Sequence, residues 1–261
     1  MRVARLALPA RSPAYAALDG ETAALFDRAP WLGGTPTGEV VAWSEAMLLA
    51  PVEPSKIICV GRNYAAHAKE LGHDLPAEPL LFFKPPSAIV GPGASVQMPS
   101  VSARVDHEAE LTLVIGTRAK NLTLENALAH LAGTTAANDV TARDLQKKDG
   151  QWARAKGFDT FCPLGPWVDT RVDASFLAGL HVRCSVDGVE RQHGLTADMI
   201  FDVSAVLVYV SSIFTLEPGD VILTGTPEGV APLAHGASCT VLIEAADGTP
   251  VFSLTNRFLR S

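Results

Sequence analysis

The tightest constraint on this chain is the stretch DHEAELTLVIG, Asp106 to Gly116, where two glutamates stand two apart at the mouth of a hydrophobic run. Successive side chains of a strand point to opposite faces, so Glu108 and Glu110 share a face with Asp106 and Thr112. Like charges held that close raise each other's pKa and destabilise the fold unless something compensates them. A divalent cation that takes both as ligands removes the repulsion. By itself, however, the pair is also what a solvated strand edge carries.

A third carboxylate is available. Asp139 follows the small-residue run GTTAAND, which reads as an inward segment that would present Asp139 at its end. Three carboxylates with no Cys or His favour a hard ion, Mg²⁺ or Mn²⁺, over Zn²⁺, and octahedral coordination leaves positions for a chelating 2-oxo acid. Alone, Asp139 reads sooner as a helix N-cap for VTARDLQ, since Asp is a favoured capping residue. His67 and Glu70 stand three apart in GRNYAAHAKE; on a helical turn they share a face, and the carboxylate can fix the imidazole tautomer and leave the other nitrogen as a base. A surface helix gives the same spacing. Lys156, in RAKGFDTFCPLGP, lies in a segment poor in acids, where it could steady an enolate or simply face water.

Proline and glycine punctuate the rest into short elements. Residues 1–50 alternate apolar runs with the turns LDGE and LGGTPTGE, a small β-rich unit joined through PVEPSK. IICV predicts a strand ending at Gly61, followed by a helical turn or two closed by Gly72. LLFFKPPSAIVGPG, broken by Pro85, Pro86 and Pro92, must be strand pieces. TLENALAHLAG predicts a helix capped by Thr123 with Ala127, Leu128 and Leu131 on one side and Gly133 at its end. Met199, Ile200, Val203, Val206, Leu207 and Val210 predict one helix stopped by Pro218 and Gly219, and SCTVLIEAADGTPVFSLTNRF predicts a hairpin across ADG.

At 261 residues and 48% hydrophobic composition, the chain can bury a full core. Its formal net charge of −7 opposes nucleic acid or an anionic membrane as partner. Cys59, Cys162, Cys184 and Cys239 are scattered without metal-finger spacing, which fits reduced thiols and a cytoplasmic address. Pro9, Arg11 and Pro13 break the N-terminal apolar run, so no signal peptide is expected, and no stretch reaches membrane-spanning length.

The fragments KIICVGRNYAAHAKELG, PLLFFKP, DHEAELTLVIG, NDVTARDLQ, AKGFDTFCPLGPWV and GDVILTGTPEGV stand in the order found in the fumarylacetoacetate hydrolase family, which the chain resembles from about residue 50 to its end. The resemblance implies an α+β, β-rich fold, a mixed β-sandwich roll forming a catalytic domain over 51–261, with a small N-terminal β domain over 1–50. It implies Mg²⁺ (or Mn²⁺) on Glu108, Glu110 and Asp139, a catalytic set of His67, Glu70 and Lys156, substrate contacts from Arg143, Gln146 and Thr226, and a homodimer. The expected function is hydrolysis of a C–C bond in acylpyruvate-type 2-oxo acids, with oxaloacetate decarboxylation alongside. The alternatives are isomerisation or decarboxylation of 2-hydroxyhepta-2,4-diene-1,7-dioate-type diacids, and a protein that binds a 2-oxo acid without converting it.

Overall fold

The short apolar runs become strands, and most join one twelve-stranded sheet in the computed structural model, which describes residues 1–70 and 74–260. The sheet runs from Pro36–Ala42 through Thr22–Phe26, Ala14–Asp19 and Arg2–Leu6 to Cys162–Asp169. It continues through Leu131–Asn138, Ala109–Ile115, Val221–Leu223 and Ile57–Gly61 to Leu80–Lys84. The first four strands enter through Arg2↔Asp169 and Val3↔Val168, and they carry their own small core around Leu6, Leu18 and Leu25.

The strand that carries Glu110 is thus internal. Ala109–Ile115 pairs with Leu131–Asn138 on one side and Val221–Leu223 on the other, and all seven of its residues are buried. A solvated edge is therefore ruled out. Leu111, Leu113 and Ile115 face a core shared with the second sheet, made of Val189–Leu195, His181–Val186, Ser238–Glu244, Pro250–Arg260 and Ser95–Met98. Alternation sends Glu110 and Thr112 to the opposite face with Val114, which packs among Ile57, Cys59, Ala137 and Cys162. Glu108 itself lies just before this strand, not in it.

The expected helix over TLENALAHLAG does not form. A single turn, Ala127–His130, gives way to the strand Leu131–Asn138. Gly133 is needed inside that strand and stops nothing: a Cβ there would lie 2.1 Å from the carbonyl oxygen of Asp169 on the neighbouring strand. Local propensity loses here to tight sheet pairing. The second expected helix is shorter than predicted, Val203–Ile213, because Asp202 caps it by accepting from the Ala205 N–H at 2.8 Å, leaving Met199 and Ile200 outside. It buries Val203, Val206, Leu207 and Val210, each side chain contributing roughly 1.5–3 kcal/mol.

The strand pieces at Leu80–Lys84 and Ile89–Val90 and the hairpin of Ser238–Glu244 with Pro250–Arg260 form as expected. The helix after Gly61 spans Ala65–Glu70, and Gly72 lies outside the described residues. All four cysteines are free and buried. Among the described residues no helix is long and apolar enough to cross a membrane.

Candidate metal centre

Glu108 and Asp139 are brought together by main-chain contacts between their segments. The Asp139 N–H donates to the Glu108 carbonyl at 2.8 Å, and the Glu108 N–H donates to Asn138 Oδ1 at 2.9 Å. With Glu110 next along, one carboxylate oxygen from each of Glu108, Glu110 and Asp139 lies within 4.8 Å of the others, and all three residues are buried. Asp139 does not cap the following helix. That helix, Arg143–Asp149, begins after Ala142, and the Asp139 carboxylate points instead at two lysines.

Those lysines show how the fold tolerates the cluster. Lys156 Nζ donates to Glu108 Oε2 at 2.7 Å and to Asp139 Oδ2 at 2.6 Å; Lys84 Nζ donates to Asp139 Oδ1 at 2.6 Å. The Arg143 guanidinium is engaged through all three of its nitrogens: Nε to Asp106, Nη2 to Glu108 and Nη1 to Gln146 Oε1. Burial pushes the Glu108 carboxyl up, but Lys156 and Arg143 outweigh it and hold the group well below the usual carboxylate range. Burial likewise pulls the Lys156 ammonium down, and Asp139 and Glu108 more than reverse it.

Glu110 is the exception. It has no ion pair among the described residues; its Oε2 accepts the Gly225 N–H at 2.7 Å. Burial, followed by the charges of Asp139 and Glu108, raises its pKa well above the ordinary value. A buried carboxylate left short of positive charge, beside two more in an all-oxygen donor set, fits a hard divalent cation. Among the described residues no Cys or His belongs to the cluster, so its donor set is oxygen alone.

The same cavity is lined by His67, Arg62, Phe82, Arg143, Gln146, Trp152, Lys156 and Thr226, so every residue singled out in the sequence lines it except Glu70. Glu70 stands directly behind: its Oε2 is 3.3 Å from His67 Nδ1, and its two oxygens accept the Gly229 N–H at 3.1 and 3.2 Å. His67 is buried, although the helix that carries it is short and otherwise partly exposed. Thr226 donates its hydroxyl proton to the Ala109 carbonyl and accepts from Gln192 Nε2, both at 2.8 Å.

Sequence reasoning passed over Lys84, Asn138 and Gln192. Lys84 ends an apolar run and is buried, and a lone charge in such a run was a signal open to notice. Gln192 accepts the Ala109 N–H at 3.0 Å while holding Thr226, so it ties the carboxylate-bearing strand to the loop after Leu223. Its partner lies 83 residues away, and no local pattern announces it.

A family model described as fumarylacetoacetate (FAA) hydrolase C-terminal matches residues 56–257, and one described as Rv2993c-like, N-terminal, matches residues 1–51. Protein Rv2993c of Mycobacterium tuberculosis is 42% identical over 269 residues, covering 100% of this chain and 98% of that protein. Oxaloacetate tautomerase FAHD2B, mitochondrial, of Homo sapiens is 46% identical over 194 residues, 73% of this chain and 62% of that protein. The crystal structure of 2-hydroxyhepta-2,4-diene-1,7-dioate isomerase from Mycobacterium marinum matches with a TM-score of 0.88 at 41% identity, covering 100% of this chain and 99% of that one.

Proposed function

This chain belongs to the fumarylacetoacetate hydrolase family of enzymes, and from that premise we propose that it is a divalent-metal-dependent enzyme of 2-oxo acids that hydrolyses a C–C bond in acylpyruvate-type substrates. The observation that carries this reading is one cavity lined at once by three clustered carboxylates, by His67 and by Lys156. Glu108, Glu110 and Asp139 would hold Mg²⁺ (or Mn²⁺). When bound, the ion supplies a Lewis acid that polarises the keto group of a chelating 2-oxo acid.

The protein's own side chains supply the rest. With Glu70 accepting from Nδ1–H, His67 keeps Nε2 as its basic nitrogen. That nitrogen takes a proton from water, the hydroxide adds to the distal carbonyl, and the C–C bond breaks with its electron pair passing to the pyruvate half. His67 then returns the proton to that carbon. Lys156 stands by with positive charge for the oxygen on which negative charge develops. Because Gln146 turns its carbonyl to Arg143, its amide N–H groups are left to donate to a substrate carboxylate. Arg143 orients Glu108 and Gln146, and the second N–H on each of its terminal nitrogens remains to donate to substrate.

A second reading, proton transfer without hydrolysis, is favoured by the relatives named as a tautomerase and an isomerase. In it His67 moves a proton between carbon and oxygen of one substrate. Chelator-stripped protein, with and without restored Mg²⁺ or Mn²⁺, decides the matter when presented with acetylpyruvate, oxaloacetate and 2-hydroxyhepta-2,4-diene-1,7-dioate under NMR. Metal-dependent release of acetate and pyruvate supports hydrolysis, and metal-dependent interconversion without cleavage supports the second reading. If no substrate changes under any metal, while oxalate still binds, the protein is a binder and both readings fail.

A further inference from the structure

The five-stranded sheet carries a pair of imidazoles that the carboxylate cluster does not use. His181 Nδ1 and His193 Nε2 lie 3.0 Å apart, with ring centroids at 5.2 Å. They belong to neighbouring strands, His181–Val186 and Val189–Leu195, whose ladder sets His193 opposite Arg183 and hence diagonal to His181. Because His181–Val186 also pairs with Ser238–Glu244, the half-buried His181 grows from an internal strand and the exposed His193 from the edge of the sheet. Alternation puts both rings on the outer face. Val182 and Cys184 point into the core, and Gln192, next to His193, turns inward to Thr226 and the Ala109 N–H.

Water would satisfy either ring as well as its neighbour does, so the contact adds little to stability. It is the only hydrogen bond that either ring makes to the described residues. The spacing is the informative part. Two nitrogens that ligate one ion at about 2.0–2.1 Å stand about 2.9 Å apart at a right angle and about 3.4 Å apart in a tetrahedron. The observed 3.0 Å falls inside that range before any ion arrives. Both rings are fixed to paired backbone, so little freedom is lost on ligation. Charge agrees with geometry. Arg183, between the two histidines in register, is paired at 2.9 Å to each of Glu190 and Glu244, so two carboxylates offset one guanidinium and an incoming dication is not repelled.

We propose that His181 and His193 form a second metal site, separate from the carboxylate cluster, that takes a borderline divalent cation of the Zn²⁺, Ni²⁺ or Cu²⁺ type. Imidazole nitrogen suits those ions and not Mg²⁺, so the chain sorts two classes of cation, with oxygen donors inside and nitrogen donors outside. The proton held between the rings moves through solvent to the far nitrogen of whichever ring donates it. The ion thus enters between two neutral imidazoles with no net proton released, and water completes its coordination. Once bound, it clips the edge strand to its neighbour directly behind Gln192, whose amide supports the cavity. This assignment is independent of the 2-oxo acid reading.

The test uses the full chain, stripped with chelator and then held in excess Mg²⁺ at about pH 8, where protons do not compete for imidazole. Cu²⁺ is the probe for electron paramagnetic resonance, because nitrogen ligands split its signal and the oxygen donors of the carboxylate cluster do not; Zn²⁺ is titrated by calorimetry. Wild type should show a Cu²⁺ species with two nitrogen ligands. His181→Ala and His193→Ala should each remove one nitrogen and weaken Zn²⁺ binding at least about tenfold. His130→Ala, which deletes an imidazole from the turn before Leu131, should match wild type. A wild-type spectrum without the two-nitrogen species overturns the assignment before any variant is made, so misfolding cannot shelter it. A two-nitrogen species that survives either substitution overturns it as well, and so does equal weakening of Zn²⁺ binding by His130→Ala.

Discussion

Two parts of one sheet treat charge in opposite ways. At the N-terminal end, Arg11 and Glu39 pair at 2.7 Å with both side chains nearly half exposed. Around Ala109–Ile115, Glu108, Glu110 and Asp139 lie buried with Lys84, Lys156 and Arg143. Exposed pairs are cheap to make and worth little. A buried set is expensive: the desolvation of each ion is repaid only by near-complete pairing, and an apolar core would often be more stable. The contrast teaches that the inner cluster is retained for something other than stability, and the under-compensated Glu110 marks where that something acts.

The comparison can be pressed with substitutions of decreasing expected effect. Glu108→Ala should lower metal-dependent turnover by at least about a thousandfold, measured in protein shown by circular dichroism to be folded. His67→Ala should reduce acylpyruvate hydrolysis by about 10²–10⁴-fold, with oxaloacetate decarboxylation, which needs only an electron sink, spared; equal loss of both would count against His67 as the base for water. Lys84→Met leaves Asp139 with one cation in place of two and should destabilise the fold by about 3 kcal/mol in urea titration. A value near zero would show that Lys84 is dispensable to the cluster.

Between the two regions stands Asp169, buried at the seam with the first strand and accepting from the Arg171 N–H at 3.0 Å and Nη2 at 2.7 Å. Burial raises its pKa, the Arg171 contacts outweigh burial, and the folded value is depressed. Its contribution is therefore present in full above the unfolded value of about 4 and is lost as pH falls through the folded one. Asp169→Asn should lower Tm at pH 7 by about 2–3 °C, a modest shift because Arg171 is half exposed, and the gap should close below about pH 4. Arg11→Ala should leave Tm unchanged at any pH; a measurable drop would erase the distinction drawn here.

Much of this arrangement was legible in the sequence. The glutamate pair, Asp139, His67 with Glu70, and Lys156 could each be singled out by residue type and spacing, but every one of them had a bland reading beside it, and their roles were implied by the family resemblance. What was not legible depends on distant partners. Glu110 looked like an edge residue until Val221–Leu223 paired beside it, and Asp139 looked like a cap until Lys84, 55 residues earlier, reached it. TLENALAHLAG carries helix formers, and only the close approach at Gly133 explains why a strand follows one turn.

The contact between Glu110 and the Gly225 amide has a practical sequel. The donor is main chain, at φ +101°, where a Cβ would lie 2.8 Å from that of Asn63, so sequence drift at this position can scarcely remove it. That amide proton is consequently a spectroscopic probe already in place: in nitrogen-15-enriched protein its correlation peak should move whenever Glu110 gains or loses charge, so that a titration with magnesium can be followed at one glycine without an attached dye, chromophore or substrate.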